Sequence, residues 1–126
     1  MAEPRTYATV AAFRRALENR LRNRAQAETL DLPRLYRMVA FERFLGRACA
    51  DDPPPWLLKG GYAMEVRLRM AARATKDVDL SLPDGSLITV DGKASPERIL
   101  AQLRAASAKD LKDSFEFKIS DPIRDL

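Results

Sequence analysis

The fold is decided by residues 56–82, which read WLLKGGYAMEVRLRMAARATKDVDLSL. Within them, a continuous apolar run at 56–58 predicts a short buried strand. A Lys-Gly-Gly turn at 59–61 ends that strand, and from 62 to about 70 the apolar residues recur at helical spacing. The predicted helix carries on its apolar side Ala63, Val66 and Met70. The stretch therefore predicts a strand, a glycine turn and a helix in succession.

The glycine turn stands where the chain could bind an anion. Gly60 and Gly61 have no side chains, so the backbone there can approach a ligand closely. The helix that follows presents unpaired N–H groups and the positive end of its dipole at its N-terminus. A glycine pair is also common as a simple tight turn, and the turn alone does not decide between the two interpretations.

Two carboxylates, Asp77 and Asp79, follow in a stretch of alternating polar and apolar residues at 77–82, which predicts a half-buried strand. Residues two apart on a strand point to the same face, with their Cα atoms about 6–7 Å apart. The two carboxylates are therefore placed to converge on a metal ion. The alternative is an exposed strand face on which the acids are neutralised by basic neighbours, namely Lys59, Arg73 or Lys76.

The composition limits the kinds of site that the chain can build. Its 126 residues predict one domain with a small core. The absence of histidine excludes His-based catalysis and His metal ligands, and the single Cys49 permits no internal disulfide. A metal site would use oxygen ligands, which favours Mg²⁺ or Mn²⁺ over Zn²⁺. With no signal peptide and no apolar run approaching the roughly 18 residues of a membrane span, we expect a cytoplasmic protein without membrane contact.

Two helices are predicted ahead of the decisive stretch. The first has Thr9 as its N-cap and ends near Ala27, and the second has Asp31 as its N-cap and ends near Cys49. Successive prolines at 53–55 end the second helix, because they remove backbone donors and forbid helical geometry before them.

Basic charge is concentrated in these helices. Residues 1–50 hold ten Lys or Arg residues against five Asp or Glu residues, although the net charge of the whole chain is only +4. Such an excess suits contact with the phosphates of RNA, but arginines on solvated helices are also common without any partner. The candidate RNA contacts are Arg14, Arg15, Arg22 and Arg24.

The C-terminal part of the chain predicts one more helix and two more strands. Residues 87–90 predict a short strand, and Ser95 is placed as the N-cap of a helix that ends near Lys109. Residues 114–119 alternate strongly, with phenylalanine and isoleucine on one face and charged residues on the other. This alternation predicts a strand.

Together, the glycine turn and the two acids resemble a known signature. A glycine turn that opens a helix, followed by a strand with Asp-x-Asp, resembles the polymerase-β-type nucleotidyltransferase superfamily. Within it, the chain resembles the AbiEii/AbiGii group, which comprises nucleotidyltransferase-like toxins of bacterial abortive-infection and toxin–antitoxin systems. The matching residues are Leu58-Lys59-Gly60-Gly61-x-Ala63 and Arg73-x-Thr75-x-Asp77-x-Asp79-Leu80.

The resemblance implies a function for this site. Asp77 and Asp79 would be catalytic and would hold Mg²⁺ or Mn²⁺, which bridges the triphosphate of a nucleoside triphosphate (NTP). The acceptor would be a hydroxyl, in the first place that of an RNA 3′ end such as that of tRNA, and pyrophosphate would be released. The usual partner in this family is an antitoxin protein. The implied nucleotide-binding residues are Lys59, Gly60, Gly61, Arg73 and Thr75.

The chain departs from the superfamily in one respect. A third carboxylate normally comes from a later strand, and Glu116 on the strand predicted at 114–119 is the candidate for it here. The chain also ends before the later helical half that this family carries. We therefore expect an N-terminal portion of a longer protein, with an unfinished sheet edge through which two copies could form a homodimer.

Three interpretations of function follow. The first is a nucleotidyltransferase toxin, and the second keeps its chemistry but makes a protein the acceptor. The third is a catalytically incomplete fragment, or a nucleic-acid or protein interaction module in which the acidic pair is only structural. For the fold, we predict an α/β (α+β) domain over residues 1–126: a basic helical part at 1–52 and an α/β part at 56–126. The latter would have a small mixed sheet of the polymerase-β type, on which the N-terminal helices pack.

Overall fold

The computed structural model describes residues 7–51, 54–68, 74–82, 89–90 and 93–123. Within these ranges it contains four helices and four short strands. The chain divides into two compact units, Met1–Ala40 and Phe41–Leu126.

The two N-terminal helices form where the sequence predicts them. Helix α1 is Val10–Glu28, and the Thr9 hydroxyl accepts a hydrogen bond from the Ala12 N–H at 3.0 Å. Helix α2 is Leu32–Ala48, and an Asp31 carboxylate oxygen accepts from the Arg34 N–H at 3.2 Å. Both N-caps are confirmed, because a cap depends only on residues within the first turn of the helix.

The first unit has its own small core. Leu21 and Ala25 of α1 pack with Leu35 of α2, and all three are buried. Around these residues lie five partly buried apolar side chains, Leu17, Leu30, Leu32, Met38 and Val39.

The second unit contains the stretch that the sequence singles out. Strand β1 is Leu57–Lys59, helix α3 is Gly60–Leu68 and strand β2 is Asp79–Ser81. The two strands pair antiparallel, with Leu57 opposite Ser81 and Lys59 opposite Asp79. The predicted strand at 56–58 is thus displaced by one residue, and it is not a buried strand, since Leu57 remains 56% exposed. An antiparallel pair commonly packs one face on the core and leaves the other in solvent, which accounts for the exposed residues on both sides of Leu58.

Helix α3 buries a different side from the predicted one. Tyr62 and Glu65 are its buried residues, whereas Val66 is 55% exposed. The Tyr62 ring packs edge-on against Phe41 with 5.1 Å between the ring centroids. The prediction from apolar spacing was wrong because the helix turns a tyrosine and a carboxylate inward, where each finds partners. Met70 lies outside the described residues.

The remaining elements follow the second strand. Strands β3 (Thr89–Val90) and β4 (Lys93–Ala94) pair antiparallel, and helix α4 spans Pro96–Ser107. The Ser95 hydroxyl caps α4 by accepting from the Arg98 N–H at 3.4 Å, as predicted. The predicted strand at 87–90 is described only over its last two residues.

The predicted strand at 114–119 does not form a ladder with any other part of the described chain. Its burial does alternate, with Phe115, Phe117 and Ile119 half-buried and the residues between them exposed. Arginine side chains bind its carbonyls in place of a neighbouring strand. Arg47 donates to the Phe115 carbonyl at 2.8 Å, and Arg104 donates to the Ile119 carbonyl at 3.2 Å. The strand prediction was wrong, because alternation specifies the faces of a segment and not the partner that a ladder requires.

The α+β class with a small sheet is confirmed. Both pairings in the described ranges are antiparallel, whereas the sequence predicts a mixed sheet. None of the described helices is long and apolar enough to cross a membrane.

Candidate functional site

The candidate site is built on the contact between the first residue of α3 and the first residue of β2. Gly60 has a positive φ of 75°, a conformation that favours glycine. The Asp79 carboxylate occupies the space that a β-carbon at residue 60 would fill, and its Cγ would lie 3.0 Å from such an atom. Antiparallel pairing puts Lys59 opposite Asp79. Gly60 therefore allows a carboxylate to lie against the N-terminus of a helix.

A second contact joins α3 to the segment that precedes β2. A β-carbon at Gly61 would lie 3.1 Å from both Cβ and the hydroxyl oxygen of Thr75, so Thr75 packs on the first turn of the helix. The buried Glu65 carboxylate accepts a short hydrogen bond from the Thr75 N–H. The Thr75 hydroxyl in turn lies 3.4 Å from both the backbone nitrogen and the carbonyl oxygen of Asp77.

Asp77 precedes the strand rather than lying in it. Strand β2 covers only Asp79–Ser81, so the predicted strand at 77–82 is shorter at both ends and its alternation does not fix where Asp77 points. Asp77 is exposed and lines an open cavity of about 410 Å³. The other residues that line this cavity are Gly61, Ala74, Thr75 and Lys76.

The structure thus brings most of the predicted nucleotide-binding residues to the first turn of α3. Asp79 and Thr75 contact the two glycines there, and Lys59 lies opposite Asp79. Arg73 lies outside the described residues. Lys59, Asp77 and Asp79 are all exposed, so their charged groups are open to a ligand.

The predicted third carboxylate, Glu116, does not form a three-residue acidic group with Asp77 and Asp79 among the described residues. Glu116 is exposed within the segment that follows α4. Among the residues that the structure describes, no three Asp, Glu, Cys or His side chains form a group that could hold a metal ion. The role of Glu116 as a metal ligand therefore stays a prediction.

The site suits a hard divalent cation by the chemistry of its donors. Asp77 and Asp79 offer carboxylate oxygens, which are the ligands that Mg²⁺ and Mn²⁺ prefer. The chain has no histidine, and Cys49, a half-buried thiol whose pKa is raised by burial, lies at the end of α2 rather than in this segment.

Tyr62 is the buried third residue of α3, and its raised pKa keeps the hydroxyl protonated. Burial raises the pKa of Tyr62, and the negative charges of Glu42 and Glu65 raise it further. Each of these effects disfavours the phenolate, because burial removes water and a nearby carboxylate repels a second negative charge. Tyr62 is thus a buried, neutral residue of the helix that carries the site.

The second unit also contains a buried ion pair that the sequence does not predict. The Arg47 guanidinium is fully buried and donates two hydrogen bonds to Asp113, at 2.6 and 3.0 Å. It also lies over the Phe117 ring, 5.0 Å from its centroid, and donates to the carbonyls of Arg43 and Phe115. The hydrogen bond from Arg47 is the largest cause that lowers the pKa of Asp113. The partners are 66 residues apart in sequence, and no local pattern signals such a contact.

The four arginines predicted to contact RNA differ in their surroundings. On α1, Arg14 pairs with Glu18 at 2.9 Å and Arg24 pairs with Glu28 at 2.8 Å. Two more cations, Arg15 and Arg22, are exposed, and Arg22 lies 3.4 Å from the neutral side chain of Asn19. The helix thus has two arginines that are partly neutralised and two that face solvent without a described acidic partner.

Comparison with known proteins places the chain in a family. A search of curated proteins found no match, and a search of solved structures also found none. The family model described as "Nucleotidyl transferase AbiEii toxin, Type IV TA system" matches residues 43–126. That match covers about two thirds of the chain and includes β1, α3 and β2 with the Gly60–Asp79 contact. The chain therefore belongs to the AbiEii family of nucleotidyl transferase toxins of type IV toxin–antitoxin systems.

Proposed function

We propose that this chain transfers a nucleotidyl group from an NTP to an acceptor hydroxyl, with an RNA 3′ end, such as that of tRNA, as the acceptor. The observation that carries the proposal is the contact of the Asp79 carboxylate with Gly60 at the start of α3. A carboxylate beside a helix N-terminus supports the proposal, because carboxylate oxygens are ligands that Mg²⁺ prefers and helix N-termini bind phosphate groups.

In this proposal the two aspartates would bind the metal ion, and the glycine backbone and the basic residues would bind the phosphates. Asp77 and Asp79 would hold Mg²⁺ or Mn²⁺, which when bound would offset the negative charge that develops at the reacting phosphorus. The backbone N–H groups that open α3 at Gly60 and Gly61 have no acceptor within the helix and would bind the triphosphate. Lys59 lies opposite Asp79 and would add a positive charge at the same edge. Arg73 and Thr75 are proposed as further phosphate contacts on the family resemblance.

The proposed reaction is a substitution at the α-phosphorus. The acceptor oxygen forms a bond to this phosphorus, the bond to the oxygen that bridges to the β-phosphate breaks, and pyrophosphate leaves. The hydroxyl proton passes to a carboxylate of the site or to water. Positioning and charge stabilisation supply most of the catalysis in such transfers, so misplacing Asp79 by even 1 Å is costly.

Transfer of label tests the proposal directly. The chain is incubated with each labelled NTP, Mg²⁺ and total bacterial RNA, and RNA and protein products are resolved separately. We expect label on RNA, and we expect Asp77→Asn and Asp79→Asn to lower it by at least 100-fold, because each removes a ligand charge. Asp121→Asn is the matched control, since among the described residues this exposed carboxylate pairs with the half-exposed Arg104 and does not contact the site.

Each other result selects a different interpretation. Label on protein would keep the chemistry and change the acceptor. Label that depends on Asp77 and Asp79 and is lost in Glu116→Gln would support Glu116 as the third carboxylate. The chain would be an interaction module with a structural acidic pair if it neither transferred label nor bound Mg²⁺-NTP in calorimetry. An incomplete fragment would bind Mg²⁺-NTP without transfer.

The proposed RNA contact has its own test. Replacing both Arg15 and Arg22 with alanine should weaken RNA binding and lower the slope of log affinity against log salt by up to about 2. The same change at Arg14 and Arg24 should lower it less, because Glu18 and Glu28 already offset their charges. Equal losses from the two pairs would count against a specific contribution of the unpaired arginines.

Two protein partners are proposed for this chain. The type IV assignment supports an antitoxin as the partner that counters the toxin. The predicted homodimer through a sheet edge is tested by the mass of the chain in light scattering.

A further inference from the structure

Glu65 is the buried carboxylate of α3, and no step proposed above uses it. It is only 1% exposed and is one of the largest fully buried side chains among the described residues. Glutamate is almost never fully buried unless it is paired, because removing its charge from water is costly. Its burial therefore calls for a specific reason within the second unit.

One described contact of Glu65 points to a role for this carboxylate. Its carboxylate accepts a short hydrogen bond from the Thr75 backbone N–H, ten residues further along the chain. Thr75 belongs to the segment that leads into the Asp-x-Asp pair, and hydrogen bonds from an N–H to a charged acceptor are among the stronger ones in proteins. The Glu65 side chain thus holds the backbone of this segment against α3, and the bond does not depend on the side chain at residue 75.

Three contacts then hold the segment at both ends. Glu65 binds the Thr75 N–H, the Thr75 side chain packs on Gly61, and the Asp79 carboxylate lies against Gly60. All three partners on α3 lie within its first six residues. Residues 75–79 are therefore laid along the N-terminal part of the helix, and a shift of Thr75 would be passed to Asp77 through their 3.4 Å contacts.

We propose that Glu65 is a positioning residue of the nucleotide site, which holds residues 75–79 so that Asp77 and Asp79 face the N-terminus of α3. The inference rests on the proposed nucleotidyl transfer and adds a residue to it. Glu65 touches neither nucleotide nor metal in this scheme, and it acts through the Thr75 backbone. Its replacement should therefore impair Mg²⁺-NTP binding and transfer beyond what any loss of folding stability explains.

Two variants of Glu65 separate the hydrogen bond from the charge. Glu65→Gln keeps an oxygen that can accept from the Thr75 N–H, whereas Glu65→Leu fills a similar volume and accepts nothing. The control is Leu103→Ala, a half-buried apolar truncation on α4 outside the site, which reports the effect of lower stability alone. All are made in the full chain, and their melting temperatures are measured alongside.

The first readout does not depend on catalysis. Amide hydrogen exchange by NMR should show the Thr75 N–H protected in the unsubstituted chain and in Glu65→Gln. In Glu65→Leu its exchange should become at least tenfold faster, while amides in the middle of α4 stay protected. An unprotected Thr75 N–H in the unsubstituted chain would overturn the inference.

The second readout is nucleotide binding and transfer. Calorimetry measures the binding of Mg²⁺-ATP and of Mg²⁺ with each other NTP, and the transfer assay measures kcat/KM with the same nucleotides. Glu65→Leu should lower kcat/KM by about 10- to 100-fold, as is typical when a group that orients metal ligands is removed. Glu65→Gln should keep most of the kcat/KM that Glu65→Leu loses. The kcat/KM of Leu103→Ala should stay within about twofold of that of the unsubstituted chain, at a temperature where each is folded. If Glu65→Leu instead matches Leu103→Ala in activity, Glu65 is only structural and the inference is wrong.

Failure of the proposed function gives a distinct result. The unsubstituted chain would then neither bind Mg²⁺-NTP nor transfer label, whatever the protection of Thr75. The Glu65–Thr75 bond would hold a segment but would position no nucleotide, which also overturns the inference. If Glu65→Leu does not fold, the comparison of Glu65→Gln with Glu65→Asp decides. Aspartate keeps the charge but is one methylene shorter, so a positioning role predicts a larger loss of kcat/KM in Glu65→Asp than in Glu65→Gln.

Discussion

Replacement of Arg47 by methionine should be one of the most destabilising single changes in the second unit. Methionine keeps much of the length and apolar stem of arginine but removes the guanidinium. Asp113, whose side chain is only 10% exposed, would lose both of its hydrogen bonds from Arg47. The carbonyl of Phe115 would lose its donor as well. The change therefore leaves a nearly buried carboxylate without its main partner.

The size of the effect follows from what remains around Asp113. Breaking a buried ion pair by removing one partner costs about 3–5 kcal/mol. Asp113 still accepts from the Phe115 N–H at 3.1 Å and lies 3.9 Å from the Arg43 guanidinium, so we expect the lower end of this range, about 3 kcal/mol. With an m-value of about 1.5 kcal/mol per molar urea, the midpoint should fall by about 2 M.

Urea unfolding followed by tryptophan fluorescence measures this change. Trp56 is the only tryptophan of the chain, and it is buried in the same unit as the ion pair. Arg43→Met is the matched control, one turn earlier on α2 and half-exposed, and it should cost less than about 1 kcal/mol. Circular dichroism of the same samples reports whether the helices unfold together with the fluorescence change.

A double variant tests the reasoning further. Arg47→Met combined with Asp113→Leu removes both charges and leaves apolar groups in their place, so it should be more stable than Arg47→Met alone. The reasoning is refuted if Arg47→Met costs less than about 1 kcal/mol, or if the second substitution recovers nothing. Either result would mean that the guanidinium does not hold Asp113 in solution.

Two further predictions concern the glycine turn and the response to acid. Gly60→Ala should cost about 2 kcal/mol and weaken Mg²⁺-NTP binding, because alanine resists a φ of 75° and its β-carbon would overlap the Asp79 carboxylate. Gly61→Ala, whose β-carbon meets Thr75 at 3.1 Å, should stay within about 1 kcal/mol by urea unfolding, and equal costs at the two positions would contradict this. Since the pKa of Asp113 is lowered, its contribution to stability is present above its unfolded pKa of about 4 and is lost as pH falls through the folded-state pKa. Urea midpoints at pH 5 and pH 2.5 should therefore fall further for the unsubstituted chain than for Asp113→Asn, and parallel falls would argue against the ion pair.

The sequence predicted best what depends on neighbours along the chain. The N-caps at Thr9, Asp31 and Ser95 are all observed, since a capping side chain bonds to a backbone N–H two or three residues later. The helix that follows the glycine pair was predicted from neighbouring residues as well, although it begins at Gly60 rather than at residue 62. The family resemblance was likewise carried by residues within one short stretch, and the family model confirms it.

Predictions that depended on unseen partners fared worse. The apolar side predicted for α3 is not the side that the helix buries. Val66 fits the apolar spacing but is exposed, whereas Glu65 is buried and binds the Thr75 N–H, a contact that spacing does not encode. The strand at 114–119 was wrong because its carbonyls are bound by Arg47 and Arg104. In each case a polar group takes a partner that propensity and apolar patterning cannot indicate.

The sequence by itself determined that this chain begins α3 with two glycines and follows it with two acids, and hence its family. Only the tertiary structure decided that Asp79 lies against Gly60, that Glu65 is buried, and that Arg47 holds Asp113. The physical reason is the range of the interactions. Caps and turns are set within a few residues, whereas a buried carboxylate or guanidinium is stable only where distant segments supply its hydrogen bonds.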